Sequence, residues 1–390
     1  MSASPTCSSI PSGRRSNPVV TTRSIPLARP YLDGREEELV LDVLRSDSLA
    51  CGTVAPAFER GFADRVGTRF AVACSSGTSG LHAALHRLGL GPGDEVITSS
   101  FSFVASANVI LFERATPVFA EIDELTFNVD PAAVEAAITD RTRAIIPVHI
   151  FGYPCDIGAI TAIAERHGLA VIEDACEAIG CTIDGRGVGT HGNLAVWGFY
   201  PNKQLTTGEG GAITTDDPDV ARELRSSVNQ GRSDNGDWLV HQRLGFNYRM
   251  DEMSAAVGLA QLEKLDMLLE RRRRVAERYN ELLADVDGIE IPYRGPHPRS
   301  WFIYYVRLDA SIDRTAVSAA LAERGVATRP YLPAIHTQPT YRERFGYGPG
   351  MLPVTERVSA STLALPFFIQ LEDDDIAYVS ASLQEVLAEL

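Results

Sequence analysis

Patterns typical of strands and helices alternate through the first half of the chain. Short apolar runs predict strands, and the segments between them have the spacing of helices. In chain order the patterns fall at residues 70–74, 81–85, 95–98, 103–112, 116–119, 131–138, 144–148 and 160–167. This order predicts an α/β fold built on a mostly parallel, doubly wound sheet that is covered by helices on both faces. Ligands of such sheets bind at the carboxyl ends of the strands.

A polar turn at residues 75–80, Ser-Ser-Gly-Thr-Ser-Gly, lies at one of these strand ends and precedes a helix. Free backbone N–H groups and the positive end of the helix dipole converge at such a point, which favours an anion. Capping of the helix by a serine or threonine side chain explains the same residues without a ligand. By itself, the turn is weak evidence for a phosphate site.

Other strand ends carry an acid pair and an aromatic residue. Glu173 and Asp174 end the apolar pattern at 170–172, and Phe103 follows the pattern at 96–98. A carboxylate that closes an apolar strand is costly unless it meets a cation or a hydrogen-bond donor. The partner of Asp174 could be a helix N-terminus or an arginine, which is a structural role, or the protonated ring nitrogen of a ligand.

The stretch at residues 198–211, Gly-Phe-Tyr-Pro-Asn-Lys-Gln-Leu-Thr-Thr-Gly-Glu-Gly-Gly, holds one lysine between two strand patterns. It contains too much Gly, Pro and Thr for a helix. A lysine held on a loop, partly out of water, is suited to attack a carbonyl as a Schiff-base nucleophile. The final glycines let the backbone approach a bulky group closely. Taken alone, the stretch slightly favours a glycine-rich hairpin in which Lys203 is a surface residue.

A Gly- and Pro-rich stretch at residues 288–299 marks a domain boundary. A long helical pattern at 252–283 precedes it, and the four arginines at 271–274 are interpreted as a solvated face of that helix. The N-terminal residues are rich in Ser, Pro, Thr and Arg and lack the apolar centre of a signal peptide. We therefore predict a disordered tail at 1–24, a large domain at 25–287 and a small α+β domain at 288–390.

The composition argues against several classes of protein. A net charge of −15 over 390 residues disfavours nucleic-acid binding, because phosphate backbones require a basic face. No apolar run approaches the about 18 residues that a membrane-spanning helix needs. The six cysteines are scattered, without a CxxC pair or the Cys and His spacing of zinc sites. We therefore expect reduced thiols, a cytoplasmic protein and no bound metal.

Five motifs together make the chain resemble the DegT/StrS-type sugar aminotransferases, which are fold-type-I enzymes that use pyridoxal phosphate (PLP). They are Ser-Gly-Thr-Ser-Gly-Leu at 76–81, Ile-Glu-Asp-Ala at 172–175, the lysine motif at 199–211, Asn-Tyr-Arg-Met at 247–250 and His-Thr-Gln-Pro at 336–339. The similarity runs from about residue 25 to the C-terminus. It implies a large domain with a seven-stranded, mostly parallel sheet and a small C-terminal α+β domain.

The resemblance implies roles for five residues at the cofactor. Lys203 would bind PLP covalently and later act as the base that moves a proton on the substrate. Asp174 would pair with the pyridinium nitrogen and keep it protonated. The ring of Phe103 would stack on the cofactor, and the N–H groups of Gly77 and Thr78 would bind its phosphate.

The resemblance also implies contacts with a second subunit and with substrate. Asn247 matches an asparagine that reaches the phosphate in the neighbouring subunit, which implies an obligate homodimer with shared active sites. His336 matches a histidine on the substrate side. A single loop histidine is more often structural, but the His-x-Gln-Pro motif favours a substrate role. We also expect Tyr331 and Arg249 to contact the substrate.

Two residues depart from the family pattern. Many relatives have serine five residues before the lysine, as a phosphate ligand, and this chain has Gly198. Relatives often have glutamine or histidine three residues after the aspartate, and this chain has Glu177. We expect the Glu177 carboxylate to lie beside the cofactor.

The function implied is transfer of an amino group from an amino acid, L-glutamate, to a keto group of a nucleotide-linked keto-deoxysugar. The Thr-Thr-Gly-Glu-Gly-Gly sequence favours C4, because the enzymes of this family that aminate C3 tend to have Gly-Asp-Gly-Gly. A PLP-dependent sugar dehydratase is an alternative, although relatives with that activity replace the lysine by histidine. A non-catalytic regulatory or sensor protein is another, and the pair of Lys203 and Asp174 argues against it.

Overall fold

The computed structural model describes residues 23–234, 237 and 239–390. The predicted tail at 1–24 lies outside the described residues, apart from Arg23 and Ser24. Within the described part, the predicted α/β fold is confirmed. One large, mostly parallel sheet is packed between helices, and a smaller antiparallel sheet follows in the C-terminal part of the chain.

The strands are short and are separated by helices through most of the chain. In chain order they are β1 (Phe70–Cys74), β2 (Glu95–Ser99), β3 (Thr116–Ala120), β4 (Thr142–Ile146), β5 (Ala170–Asp174), β6 (Thr182–Ile183), β7 (Arg186–Gly187), β8 (Leu194–Gly198), β9 (Gly211–Thr215), β10 (Ile289–Glu290), β11 (Tyr304–Leu308), β12 (Arg329–Pro330) and β13 (Thr362–Leu365).

The described part of the chain contains thirteen α-helices. They are α1 (Gly34–Leu44), α2 (Val54–Val66), α3 (Gly77–His86), α4 (Ala105–Phe112), α5 (Pro131–Ala136), α6 (Ile157–His167), α7 (Pro218–Val228), α8 (Glu252–Glu263), α9 (Leu265–Leu283), α10 (Arg314–Glu323), α11 (Pro339–Phe345), α12 (Pro353–Ser361) and α13 (Asp373–Glu389). An aspartate or serine side chain just before the helix accepts a first-turn N–H in α1, α3, α5, α6, α7, α8 and α10. None of the described helices is both long and apolar enough to cross a membrane.

The large sheet has the strand order β1-β9-β8-β5-β4-β2-β3. Its pairs from β3 to β8 are parallel, whereas β9 runs antiparallel to both of its neighbours. Helices cover both faces, so β2, β8 and β9 are buried along their whole length.

The register brings three functional segments to one edge of this sheet. Gly211, at the start of β9, pairs with both Cys74 at the end of β1 and Gly198 at the end of β8. Asp174, at the end of β5, pairs with Val196 of β8. The polar turn after β1, the acid of β5 and the lysine loop between β8 and β9 are therefore neighbours.

The C-terminal sheet, β10-β11-β13-β12, is antiparallel and packs against α9, α10 and α13. The N-terminal segment joins the same core: the Ile25 N–H donates to the Gly325 carbonyl at 2.8 Å, and the Ile25 side chain is buried there. Residues 23–27 therefore contact the C-terminal part of the chain.

Candidate active site

The carboxyl edge of the large sheet forms one side of a cleft of about 1020 Å³. Residues of the C-terminal part, among them Phe302, Arg329 and Tyr341, line the other side. Most residues predicted for the site line this cleft: Gly77, Thr78, Phe103, Asp174, Glu177, Lys203 and Tyr331. Three others, Asn247, Arg249 and His336, are not among the cleft-lining residues of the described chain.

Helix α3 begins at the cleft with two backbone N–H groups available for a ligand. Its cap residue is Ser76, whose Oγ accepts the Ser79 N–H at 3.0 Å and whose carbonyl accepts the Gly80 N–H at 3.0 Å. The first N–H groups of a helix have no intrahelical acceptor, so those of Gly77 and Thr78 remain. The serine cap is thus present, and it leaves the anion position at the helix start open.

Glycines allow the loops around this position to touch. A Cβ atom on Gly77 would lie 2.8 Å from the Cys176 sulfur, and one on Gly211 would lie 2.5 Å from the carbonyl carbon of Ser76. Gly198, the departure from the family serine, belongs to the same contact. A Cβ there would lie 3.3 Å from the Cys176 sulfur, so a larger residue would need the thiol to move.

Asp174 is a buried carboxylate that receives hydrogen bonds only from neutral groups. Ser106 Oγ donates to Oδ2 at 2.8 Å, and the Cys176 N–H donates to Oδ1 at 3.2 Å. In the part of the chain that the structure describes, no Lys, Arg or His forms an ion pair with Asp174. Of the two structural partners predicted for Asp174, a helix N-terminus or an arginine, the arginine is therefore not found among these residues.

The Lys203 amine lies between a carboxylate and an aromatic ring. Its Nζ atom is 3.4 Å from Oε1 of Glu177 and 3.8 Å from the centre of the Phe302 ring. The side chain is only 14% exposed, which rules out the surface hairpin that the sequence alone slightly favoured. The amine is held at the cleft wall.

Glu177 is buried and fixed at both ends. Its Oε2 accepts the Phe151 N–H at 2.9 Å, and its backbone carbonyl accepts Gln204 Nε2 at 2.6 Å. Burial of the carboxyl group raises the pKa of Glu177, although the nearby Lys203 acts in the opposite direction. Glu177 therefore retains its proton at higher pH than an exposed glutamate does.

Arg272 supports the lysine loop and was misjudged from the sequence. The interpretation of residues 271–274 as a solvated face is wrong for this residue, which is buried. Its Nη2 donates to the Lys203 carbonyl at 2.7 Å, and its Nη1 donates to the Phe302 carbonyl at 3.1 Å. Position 272 lies on the same helix face as Val275 and Tyr279, which the helical spacing predicts to be buried. The periodicity of the sequence therefore indicated that Arg272 is buried.

Glu173, the neighbour of Asp174, points away from the cleft into a separate buried network. Its carboxylate accepts the N–H groups of Gly189, His191 and Gly192 at 2.6–2.8 Å, and it lies 3.0 Å from His149 Nε2. Burial by itself would lower the pKa of His149, but Cys155 and Glu173 together raise it to about 10. This network anchors the end of β5 and thereby the position of Asp174.

Asn247 and Arg249 lie on a segment outside the cleft. Asn247 is exposed and pairs through its backbone with Asn229. The Arg249 guanidinium donates to Oδ1 of Asn229 at 2.9 Å. Neither side chain reaches the cleft of its own chain.

His336 is fully buried beside the cleft, and both of its ring nitrogens have protein partners. Nδ1 lies 2.7 Å from Ser100 Oγ, and Nε2 lies 3.0 Å from Oε1 of Glu356. Its neighbours Ile335 and Gln338 line the cleft, but His336 itself does not. The His-Thr-Gln-Pro segment thus contributes to the cleft wall while the imidazole ties it to the protein.

The residues of the cleft fit PLP in several respects. A buried carboxylate without a protein cation suits a protonated ring nitrogen. Two backbone N–H groups at a helix start suit a phosphate, and the held amine suits a carbonyl. Phe103 is 61% exposed within the cleft lining and offers a ring face for stacking.

Known proteins are similar to this chain in sequence and in fold. The sequence model of the DegT/DnrJ/EryC1/StrS aminotransferase family matches residues 30–384. A GDP-perosamine synthase from Caulobacter vibrioides is 40% identical over 370 residues, which cover 93% of this chain and 98% of that protein.

Solved structures agree with the sequence match. The aminotransferase TlmJ from Streptoalloteichus hindustanus superposes with a TM-score of 0.88 at 35% identity, covering 94% of this chain and 99% of that chain. The PLP-form of Spr1654 from Streptococcus pneumoniae superposes with a TM-score of 0.90 at 26% identity, covering 94% of this chain and 99% of that chain.

Proposed function

Since this chain belongs to the DegT/DnrJ/EryC1/StrS aminotransferase family and is a PLP-dependent sugar aminotransferase, we propose that it aminates the C4 keto group of a nucleotide-linked keto-deoxysugar. L-glutamate is the proposed amino donor. A sugar dehydratase and a non-catalytic sensor are less well supported, because both would leave the amine of Lys203 without a use.

The observation that carries this proposal is the environment of Asp174. This buried carboxylate accepts hydrogen bonds from one hydroxyl and one backbone N–H only. A buried carboxylate of this kind has a strong preference for a cation. The protonated ring nitrogen of PLP supplies such a cation. When bound, PLP acts as an electron sink for the negative charge that develops at the substrate carbon.

The chain's own residues divide the remaining work. Lys203 binds the cofactor and then moves a proton at the substrate carbon, because its amine lies in the cleft at the end of a flexible side chain. Gly77 and Thr78 orient the phosphate with their N–H groups. Phe103 covers one face of the ring and excludes water from it.

Glu177 is proposed to hold a proton beside Lys203. Its Oε1 is 3.4 Å from the amine, and the Phe151 N–H fixes the other carboxyl oxygen. A glutamine at this position could not exchange a proton with the amine, because an amide does not titrate, and a histidine would do so through an imidazole nitrogen instead of a carboxyl oxygen. The carboxyl group therefore gives this chain an acidic partner for Lys203, with a pKa that burial raises.

The cleft has room for a second large ligand. Its volume of about 1020 Å³ is at the upper end of the 300–1,000 Å³ that ligand pockets usually have. Arg329 is the only arginine among the described residues that line it, and Tyr331 lies two residues further on. A guanidinium suits the carboxylate of glutamate or the diphosphate of a nucleotide sugar.

The choice of C4 rests on the Thr-Thr-Gly-Glu-Gly-Gly sequence after Lys203 and on the relative that is named for the synthesis of GDP-perosamine. The proposed assembly is a homodimer in which Asn247 of one subunit contacts the phosphate in the other. The exposed position of Asn247 supports this assembly. The five cysteines that the structure describes are free thiols, as a cytoplasmic location would require.

The reaction can be tested with a substrate panel. Purified enzyme with PLP and L-glutamate is given a nucleotide-linked 4-keto-6-deoxyhexose or its 3-keto isomer, with GDP or dTDP as the nucleotide. We expect mass spectrometry to detect an amino sugar from the 4-keto compound and 2-oxoglutarate from the donor. Amination of only the 3-keto compound would contradict the C4 proposal, and release of water without amination would favour the dehydratase.

The Glu177→Gln variant tests the proposed proton partner. Because burial raises the pKa of Glu177, the folded enzyme binds this proton more tightly than the unfolded chain does. The associated stability is complete below the ordinary pKa of about 4.5 and is lost as the pH rises through the folded-state value. We expect the Tm of the wild type, relative to Glu177→Gln, to fall across that window, and the pH profile of kcat to lose one limb in the variant.

Glu165→Gln, which changes an exposed carboxylate, serves as the matched control. It should leave both pH dependences as in the wild type. Identical profiles for the wild type and Glu177→Gln would contradict a titrating role for Glu177.

A further inference from the structure

Away from the cleft, two histidines and one glutamate bring their ligand atoms together. His82 and His86 are one turn apart on α3 and therefore share a helix face. Glu113 directly follows α4. His82 Nε2 lies 2.8 Å from Oε1 of Glu113, and His86 Nδ1 lies 3.0 Å from the same oxygen. All three ligand atoms are within 4.8 Å of one another.

We propose that His82, His86 and Glu113 bind a divalent transition-metal ion, for which Zn²⁺ is the best match. Two imidazoles and one carboxylate are common zinc ligands, and three protein ligands leave a fourth position for water. Ligands placed about 2.1 Å from a tetrahedral ion are about 3.4 Å apart. The two distances to Glu113 are slightly shorter, and no two of the three ligand atoms are more than 4.8 Å apart, so the side chains would have to adjust around an ion.

The charge balance of this cluster favours an ion. The Glu113 side chain is only 10% exposed, and no Lys or Arg forms an ion pair with it among the described residues. A buried carboxylate without a cation is costly, and a divalent ion would supply the missing charge.

The surroundings have the features of a second coordination shell. The Tyr248 hydroxyl lies 2.8 Å from Nδ1 of His82, which fixes the imidazole with Nε2 towards Glu113. The ring of Phe246 lies 4.7 Å from the His82 ring and 4.9 Å from the His86 ring. Such partners orient metal ligands and limit the access of water.

The cluster also connects the segment of Asn247 to the turn that precedes α3. The Tyr248 carbonyl accepts the Ser75 N–H at 2.7 Å, and the Tyr248 N–H donates to Val228 at 2.9 Å. Ser75 begins the turn that leads into α3, and Asn247 precedes Tyr248 in the chain. A bound ion would therefore hold the segment of Asn247 against the phosphate end of α3. This inference does not depend on which sugar the enzyme aminates.

The sequence expectation of no metal site was based on residue spacing along the chain. His82 and His86 have a helical spacing, but Glu113 is 27 residues beyond His86. Only the packing of α3 against α4 brings the third ligand into place, which is why short-range patterns do not reveal it.

The test is zinc binding by tag-free holoenzyme that has been dialysed against a chelator and then freed of it. We expect one Zn²⁺ per chain by equilibrium dialysis at about 10 µM ZnCl₂, and a Tm raised by a few degrees. Glu113→Gln and His86→Gln should each weaken binding more than about 100-fold. Tyr248→Phe should weaken it about 10–100-fold, as for loss of an outer-shell partner.

His167→Gln is the matched control, because His167 also lies near a glutamate, 3.9 Å from Glu135, but without a third ligand. It should bind zinc as the wild type does. Equal binding by His86→Gln and the wild type would overturn the proposal, as would anomalous diffraction that located the ion elsewhere. Failure of the wild type to bind at about 100 µM ZnCl₂ would mean that the cluster is a hydrogen-bonded network only. If Glu113→Gln does not fold, two results decide whether the cluster binds zinc. They are the affinity of His86→Gln, which changes a partly exposed residue, and the position of the anomalous signal.

Discussion

The family motifs on the cofactor side of the cleft and those just outside it are equally clear in the sequence. In the structure, however, the residues of the first group line the cleft and those of the second do not. Gly77, Asp174 and Lys203 follow or end β1, β5 and β8, at one edge of the same sheet, and meet in one cleft. Asn247 and His336 belong to loops, and neither lines the cleft of its own chain. The sheet register fixes the first group, whereas contacts with other segments of the chain decide the second. That a residue belongs to a family motif therefore does not establish that its side chain lies in the cleft.

Substitution of Lys203 should have the largest effect on the cofactor side. Lys203→Ala removes the amine that we propose binds PLP and moves the proton, so we expect no detectable turnover. The linkage that borohydride reduces, and the visible absorption that depends on it, should also be lost. PLP itself can still bind through the phosphate position.

The chain has only two lysines, Lys203 and Lys264, so the control is direct. Lys264 forms ion pairs with Asp33 and Glu36 at 2.7 and 2.9 Å and does not line the cleft. Lys264→Arg should keep the reducible linkage. Mass spectrometry that found the pyridoxyl group on Lys264 after reduction would show that the assignment of Lys203 is wrong.

Asp174→Asn should have the next largest effect. The variant keeps the shape of the side chain and the hydrogen bond from Ser106, but it removes the charge that we propose holds a proton on the ring nitrogen. Loss of electrostatic stabilisation of this kind costs on the order of 10²-fold or more in rate. The measurement is turnover per cofactor-loaded, folded molecule, with Tm determined in parallel.

The control for charge removal is Asp217→Asn, at the start of α7, where asparagine still caps the helix. It should retain nearly full turnover. A salt-bridging structural acid at position 174 would instead give a lower Tm with almost normal turnover, and that result would refute the pairing with the cofactor.

The sequence predicted those parts of the molecule that local chemistry determines. The alternating patterns were sufficient to predict the α/β fold, because the signals of a buried strand or a capped helix lie within a few consecutive residues. Arg272 was misread because a run of four arginines suggests solvent, although its helical position places it on the buried face. The contacts of His336 with Ser100 and Glu356 join residues far apart in the chain, and no local pattern encodes them.

Asn247 provides a test of whether the cleft is completed by a second subunit. Asn247→Ala removes the proposed hydrogen bond to a charged phosphate. Such a bond is typically worth about 1.5–3 kcal/mol, so we expect PLP to bind roughly 10–100-fold more weakly. At limiting PLP this variant is nearly inactive, as is Lys203→Ala. Mixed dimers of the two variants contain one site with both Lys203 and Asn247 intact. Such heterodimers should recover about half of the wild-type activity.

The recovery requires subunit exchange, so the heterodimer is isolated by two different affinity tags before it is assayed. Homodimers of each variant, treated in the same way, provide the baseline. An isolated heterodimer that is no more active than these homodimers would contradict the shared site, provided that Asn247→Ala by itself abolishes activity at the same PLP concentration.

His336 should show the smallest effect on turnover and a clear effect on stability. His336→Asn keeps an atom near Ser100 and loses the contact of Nε2 with Glu356, so we expect a loss of about 1.5–3 kcal/mol in the free energy of unfolding. Turnover per folded, cofactor-loaded molecule should change by less than about threefold. A residue that transfers a proton in the reaction would instead contribute about 10²–10⁴-fold.

The pH dependence of stability separates these two roles of His336. Burial by itself raises the pKa of Glu356, but His336 and the N–H groups of Gly350 and Leu352 lower it below its ordinary value. A lowered folded-state pKa contributes stability above about pH 4.5 that is lost as the pH falls through the folded value. The difference in unfolding free energy between the wild type and His336→Asn should therefore shrink in acid. A 10²-fold loss of turnover with an unchanged unfolding free energy at every pH would instead assign His336 to the substrate, as the sequence motif predicts.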